Sequence, residues 1–348
     1  MQTIIRKVDE NCIDEMIMKE AGALLKEGAL VAFPTETVYG LGANALDSEA
    51  AAKIYAAKGR PSDNPLIVHI ADMDALSLIV AEIPEAAKKL AAKFWPGPLT
   101  MVMKKSEVVP YGTTGGLDTV AVRMPAHPIA LEMIRHGGGY IAAPSANTSG
   151  RPSPTLASHV ADDMDGIIPL ILDGGAVGIG IESTIVDLTD EIPTILRPGF
   201  ITKEMLQEVV GEVQIDKGLD ADSKTPPKAP GMKYRHYAPK AELMIVEGSS
   251  EAVVAKINAL VKENEEKGIC TGIIGTEETV SRYPAGIVKC MGTRSDELSI
   301  SSHLYGILRE FDESDAKVIY SESFEEGAMG SAIMNRLLKA AGHKIIHV

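Results

Sequence analysis

Aromatic side chains are scarce in this chain, at 4% of 348 residues with a single Trp. Proteins that bind single-stranded nucleic acid by stacking bases draw on such side chains, so that function has little to build on here. Positive charge is also short: 34 Lys and Arg against 48 Asp and Glu leave a net charge of −14. A general nucleic-acid binder needs the opposite footprint. Three cysteines, Cys12, Cys270 and Cys290, stand too far apart for metal spacing, and a sparse, odd set fits a reduced, cytoplasmic protein. No apolar run approaches the length of a bilayer span, and no apolar segment follows Arg6 and Lys7 as it would in a secretory signal. What remains is globular composition, 45% hydrophobic and 24% charged, in a chain long enough for two domains. Any basic site must be local, and a pocket for one nucleotide suits that better than a groove for a duplex.

Apolar runs and helix-period segments alternate along the chain. Strands are expected at 29–33, 66–70, 99–103, 120–124, 140–143, 167–172 and 184–188, with helices at 49–57, 85–94, 128–135 and 156–163. Some strands follow each other without a helix, which predicts a mixed sheet in an α/β domain over residues 1–212. Residues 213–240 hold four prolines and no sustained period, as a linker does. Its second half, APGMKYRHYAP, concentrates aromatics and cations as spacers rarely do, and reads as a segment that docks on something. From residue 241 to 348 a new βα alternation resembles a small doubly wound, Rossmann-like parallel domain. Its Gly248-Ser249-Ser250 turn and the Gly327 and Gly330 helix start fall short of a dinucleotide fingerprint and fit ordinary turns better.

Chemistry concentrates in the first domain. The segment KGRPSDNPLIVH, Lys58 to His69, sets two cations two residues apart where a helix meets a Gly- and Pro-rigidified turn. An ammonium and a guanidinium in fixed relation suit an anion with several oxygens, such as a polyphosphate; a basic helix end complementing the dipole is the alternative. PTETVYGLG, Pro34 to Gly42, follows the first strand and lines up Thr35, Thr37 and Tyr39 on one side if extended, or is a plain turn. In DTVAVRMP, alternation puts Thr119, Ala121 and Arg123 on one face. An inward arginine calls for an anion such as a carboxylate, whereas on an edge strand its face is simply wet. AAPSANTSG, Ala142 to Gly150, ends a strand in small hydrogen-bonding groups. It lacks the pattern of a P-loop or of a nucleophile elbow around Ser145, and substrate binding is favoured over a nucleophile or a plain loop. Arg197 is a further cation at a strand-to-turn junction, and with Lys58, Arg60 and Arg123 it suggests one positive pocket.

These motifs together resemble the two-domain threonylcarbamoyl-AMP synthases, in which a YrdC-type domain precedes a smaller C-terminal domain. The Lys58/Arg60 pair with Asn64, the Ser145/Asn147 pair, the 34–42 loop and the 230–239 linker carry the resemblance. It implies a twisted mixed sheet of YrdC type and the condensation of L-threonine, bicarbonate and ATP to threonylcarbamoyl-AMP and pyrophosphate. That product serves threonylcarbamoyladenosine modification of tRNA beside the anticodon. By the same resemblance Thr35, Thr37, His69, Arg123, Ala143 and Ser183 hold threonine, with Arg123 on its carboxylate. Lys58, Arg60, Asn64, Thr119, Ser145, Asn147, Ser153, Arg197 and Tyr237 hold ATP, with Lys58 and Arg60 at the phosphates and catalytic. The linker, through Tyr237, folds over the nucleotide as a lid. Mg2+ comes with the polyphosphate, without a protein carboxylate cage.

Three other readings compete. A direct RNA-binding module is disfavoured by acidity and few aromatics. Carbamoyl transfer on a YrdC-like domain usually comes with acylphosphatase-like and zinc-finger regions, for which this chain has no Cys clusters. A C-terminal domain that docks a downstream threonylcarbamoyl transferase is compatible with the synthase reading. No membrane association is expected, and whether His69 is a base or a hydrogen-bonding wall stays open.

Overall fold

The architecture was obtained as a computed structural model, which describes residues 2–216, 237–324 and 327–348. Contacts divide it into two units, each described separately. The first holds the chain up to Ser149, Ser153–Gly178 and the stretch beginning at Glu182; the second holds Gly150–Pro152, Ile179–Ile181 and the stretch ending at Val348.

Among the described residues the first unit has eleven strands: β1 Ile4–Lys7, β2 Val31–Phe33, β3 Gly40–Asn44, β4 Ile67–His69, β5 Leu99–Lys104, β6 Thr119–Arg123, β7 Ile141–Ala142, β8 Leu170–Asp173, β9 Thr184–Asp187, β10 Thr194–Arg197 and β11 Gln214–Ile215. They form one mixed sheet in the order β1-β8-β2-β3-β7-β4-β6-β5-β9-β10-β11. Both faces are covered. In β2, Val31 and Phe33 enter one apolar cluster with Met18, Leu25 and Met133, while Ala32 enters the other with Leu41, Ile54 and Val68. Burial on both faces is why such strands read as continuous apolar runs. The central strands β4 and β6 run parallel, and β7 and β5 flank them antiparallel. β6 is therefore interior, which rules out the wet edge strand as the setting of Arg123.

The helix Ser48–Lys58 shows how local rules place a functional residue. Asp47 caps it by accepting from the Glu49 N–H at 2.8 Å, and Gly59 ends it at φ +62°, in the left-handed region that glycine adopts without strain. The last residue before that glycine, Lys58, is only 2% exposed, so it is not a solvated cation at a helix end. Gly199 matters for space. A Cβ there would lie 2.5 Å from the Thr184 nitrogen and 2.8 Å from the Ser183 carbonyl carbon. Gly199→Ala is expected to destabilise the unit by about 1–3 kcal/mol, as overpacking does. The denaturant midpoint reads this, and an unchanged midpoint would contradict the close approach.

In the second unit, β12 Glu242–Glu247, β13 Thr271–Gly275, β14 Ile287–Cys290, β15 Val318–Glu322 and β16 Ile345–His347 form an all-parallel sheet in the order β14-β13-β15-β12-β16. This is the expected doubly wound domain. Ser249 is an N-cap, accepting from the Ala252 N–H at 3.4 Å, and a Cβ on Gly248 would meet the Val348 carbonyl at 2.3 Å. That turn is a capped, tightly packed helix start. Among the described residues no helix is long and apolar enough to cross a membrane.

Candidate functional site

The carboxyl ends of β4 and β6 and the starts of β5 and β9 meet at one end of the first sheet. His69 pairs with Arg123, Arg123 with Thr100, and Leu99 with Thr184. A register shift between Ile195 and Arg197 in β10 lets Arg197 pair with Ile185 and reach Ser183. Arg197 Nη2 donates to Ser183 Oγ at 3.2 Å and its Nε to the Ser183 carbonyl at 3.1 Å. Ser183 Oγ in turn lies 2.8 Å from Thr100 Oγ1.

Arg123 is 4% exposed at the centre of this end. Its Nη1 donates to Thr37 Oγ1 at 2.9 Å and its Nε to the Gly97 carbonyl at 3.3 Å. Thr37 Oγ1 is 2.8 Å from Thr35 Oγ1, and Thr35 also donates to the Val38 carbonyl at 2.6 Å. The loop from Pro34 to Tyr39 thus sets the Thr37 hydroxyl on the guanidinium, with the Thr35 hydroxyl bonded behind it. Glu36, in the same loop, brings Oε1 to 2.6 Å from Arg123 Nη2. Ser153 donates to Glu182 Oε1 at 2.5 Å, immediately before Ser183.

A second group lies at the opposite ends of the same strands. Lys58 Nζ donates to the Ser145 carbonyl at 2.5 Å, to the Asn147 carbonyl, and to Asn147 Oδ1 at 3.5 Å. Ser145 Oγ donates to Asn147 Oδ1 at 2.6 Å. Arg60 is clamped on its own turn, donating to the Asn64 and Pro65 carbonyls at 3.3 and 3.1 Å. Asn64 is 2% exposed, and its Oδ1 is buried without a hydrogen bond. Thr119 opens β6 beside this group. Four steps along the strand take the chain from it to Arg123, roughly 13 Å at about 3.3 Å each. Between the two ends Ile67, Val102, Ala121, Ile185 and Leu196 form one buried apolar cluster. The arrangement suits an elongated ligand with a carboxylate at one end and several polar oxygens at the other.

Two family models match the chain. Residues 23–199 match the family described as telomere recombination, covering Sua5, YciO and YrdC, and residues 201–342 match the C-terminal domain of threonylcarbamoyl-AMP synthase. Over 346 residues the sequence is 52% identical to the threonylcarbamoyl-AMP synthase of Pyrococcus abyssi, spanning 99% of this chain and 100% of that protein. This chain belongs to the threonylcarbamoyl-AMP synthase family. The synthase so named from Bacillus subtilis is 51% identical over 97% of this chain and 96% of its own length. A crystal structure of P. abyssi Sua5 complexed with L-threonine has a TM-score of 0.95 at 51% identity, covering 99% of this chain and all of that one. The resemblance read from the motifs, the YrdC-like fold it implied and the Rossmann-like domain read from the βα alternation are borne out.

Not every residue assigned to ATP by that family resemblance falls in the Lys58 group. Arg197, expected at ATP, sits with Ser183 in the Arg123 group. Tyr237 belongs to the second unit, at φ +64°, with its ring 5.1 Å from that of Tyr305. The remainder of the lid reading, residues 217–236, lies outside the described residues. Thr100 and Glu36 were missed. Thr100 is a lone polar residue in the buried run LTMVM, which is a usable signal; Glu36 stands inside a quoted motif but was not singled out there.

His69 is 4% exposed and stands beside Arg123, with which it pairs across β4 and β6. Burial first, then the charge of Arg123, push its imidazole down to about 3, and Nδ1 lies 3.1 Å from the Ile67 carbonyl. A group that basic only below pH 4 is mismatched to proton abstraction near neutrality. The unfolded imidazole titrates near 6.5, so between about 6.5 and 3 the unfolded chain takes up a proton the folded one refuses. Stability tied to neutral His69 is complete above this window and lost as pH falls through it. His69→Gln is expected to flatten the melting temperature between pH 6.5 and 4; an unaltered slope would show that other groups set it.

Proposed function

We propose that this family member condenses L-threonine, bicarbonate and ATP to threonylcarbamoyl-AMP and pyrophosphate, for threonylcarbamoyladenosine modification of tRNA. The observation that carries the reading is the two-ended site on one sheet face, in a chain that shares half its residues with threonylcarbamoyl-AMP synthases along its whole length. Threonine lies at the Arg123 end, its carboxylate on the guanidinium and its hydroxyl toward Thr35, Thr37 or Ser183, with His69 and Ala143 as walls. The nucleotide extends toward Lys58, Arg60, Asn64, Thr119, Ser145 and Asn147.

The threonine amine and bicarbonate form a carbamate with loss of water. A carbamate oxygen then attacks the α-phosphorus of ATP, the bond from that phosphorus to the bridging oxygen breaks, and pyrophosphate leaves with the electron pair. Such a transfer asks the protein for positioning and for stabilisation of charge. Lys58 and the clamped Arg60 supply both at the phosphate end. Among the described residues no three His, Cys, Asp or Glu side chains gather as a metal cluster. Mg2+ is proposed as an ion carried on the oxygens of ATP. The cytoplasm, where ATP and tRNA are available, is the proposed setting, and a threonylcarbamoyl transferase the proposed consumer of the product.

The test is pyrophosphate release from ATP by the purified protein with threonine and bicarbonate omitted in turn. Release that requires both is expected. ATP turnover indifferent to threonine, or none, would overturn the proposal.

A further inference from the structure

Glu36 is the unexplained residue of the site. Arg123 commits Nε to Gly97 and one N–H of Nη1 to Thr37, which leaves the second Nη1 N–H and the Nη2 edge for a ligand carboxylate. Glu36 Oε1 stands on that edge, 2.6 Å away, with side-chain exposures of 5% for Arg123 and 17% for Glu36. The contact is close but out of alignment: Arg123 Nη2 and both Glu36 oxygens are buried without a hydrogen bond. A pair so placed offsets two buried charges but leaves their hydrogen-bonding capacity unused. Resting on the proposed function, we infer that Glu36 is a stand-in for the substrate carboxylate, and that threonine displaces it from Arg123 and takes it as the acceptor for its own amino group.

Charge balance makes this a selection device. Arg123 and Glu36 sum to zero. An amino-acid zwitterion also sums to zero, so it can exchange partners with the pair: substrate carboxylate to Arg123, substrate amino group to Glu36. A carboxylate without an amine takes Arg123 and leaves Glu36 buried beside a second negative charge, which costs heavily. Glu36 would thereby reject hydroxy acids and simple carboxylates that the hydroxyls of Thr35 and Thr37 accept equally well.

The experiment is calorimetric titration of the full-length protein with L-threonine and with (R)-3-hydroxybutyrate, which keeps the carboxylate and hydroxyl but lacks the amine. Glu36→Gln is expected to weaken threonine roughly ten- to hundredfold, the worth of a charge-assisted hydrogen bond, and to strengthen (R)-3-hydroxybutyrate by about tenfold. A structural role alone moves both ligands the same way. Glu36→Asp, which keeps the charge, should weaken threonine yet retain the preference for it, and it decides the matter if Glu36→Gln does not fold. Parallel loss of both ligands in Glu36→Gln, unchanged threonine affinity, or a preference erased in Glu36→Asp would each overturn the inference. Absence of threonine binding to the wild type would instead sink the proposed function.

Discussion

Arg123→Ala is expected to lose about 1.5–3 kcal/mol of threonine binding, the range for a charge-assisted bond, or roughly ten- to a hundredfold in Kd. The same change should cost about 3–5 kcal/mol of stability, because it leaves the largely buried Glu36 carboxylate without its counter-charge. It also strips Thr37 and the Gly97 carbonyl of their donor. The two losses can be separated. Arg123→Ala combined with Glu36→Gln removes the orphaned charge, so most of the stability should return while threonine affinity should not. Arg123→Lys should fall between, since an ammonium keeps the charge but cannot serve Gly97, Thr37 and a carboxylate from one planar fork. Thermal unfolding and threonine titration on the four proteins check this. Threonine affinity undiminished in Arg123→Ala, or restored in the double variant, would remove Arg123 from the carboxylate site.

Much of this site was legible in the sequence, and the reasons differ by residue. Lys58 was held to be fixed because Gly59 and two prolines follow it, and the left-handed Gly59 is what stops the helix there. Alternation set Arg123 on the face opposite Val120 and Val122 but left open whether that face was inward or wet, and the interior position of β6 decides it. Other features had no such signal. β3 reads Gly-Leu-Gly-Ala-Asn, and its two glycines are needed where Phe33 and Ile141 press close, so close packing disguised a strand as a turn. β11 comprises only Gln214 and Ile215, too short to show a period, and so fell within the stretch read as linker. Glu36 escaped because an acidic residue in a loop is ordinary until the fold sets an arginine against it. The grouping of Arg197 with Ser183 depends on a register shift in β10, which no local pattern announces.

Lys58→Met tests whether the two ends of the site are separable. Met has nearly the length of Lys and no charge, and the position is 2% exposed. The loss of the ammonium orphans the carbonyls of Ser145 and Asn147, at about 1–3 kcal/mol for each group left buried. Relief from burying a charge offsets part of that, so the folded protein should survive with a modestly lower melting temperature. Activity should suffer far more. Without the brace the loop carrying Ser145 and Asn147 loses its register, and misplacement of about 1 Å at a reacting group can cost roughly a hundredfold in rate. Pyrophosphate release should therefore fall by about that factor or more, while threonine binding in the absence of ATP stays within about twofold, since Arg123, Thr37 and Ser183 share no hydrogen bond with Lys58. Loss of threonine binding in step with pyrophosphate release would mean that the site is one interlocked network. Pyrophosphate release left intact would mean that Lys58 is scaffolding, and that the charge met by the leaving group comes from Arg60.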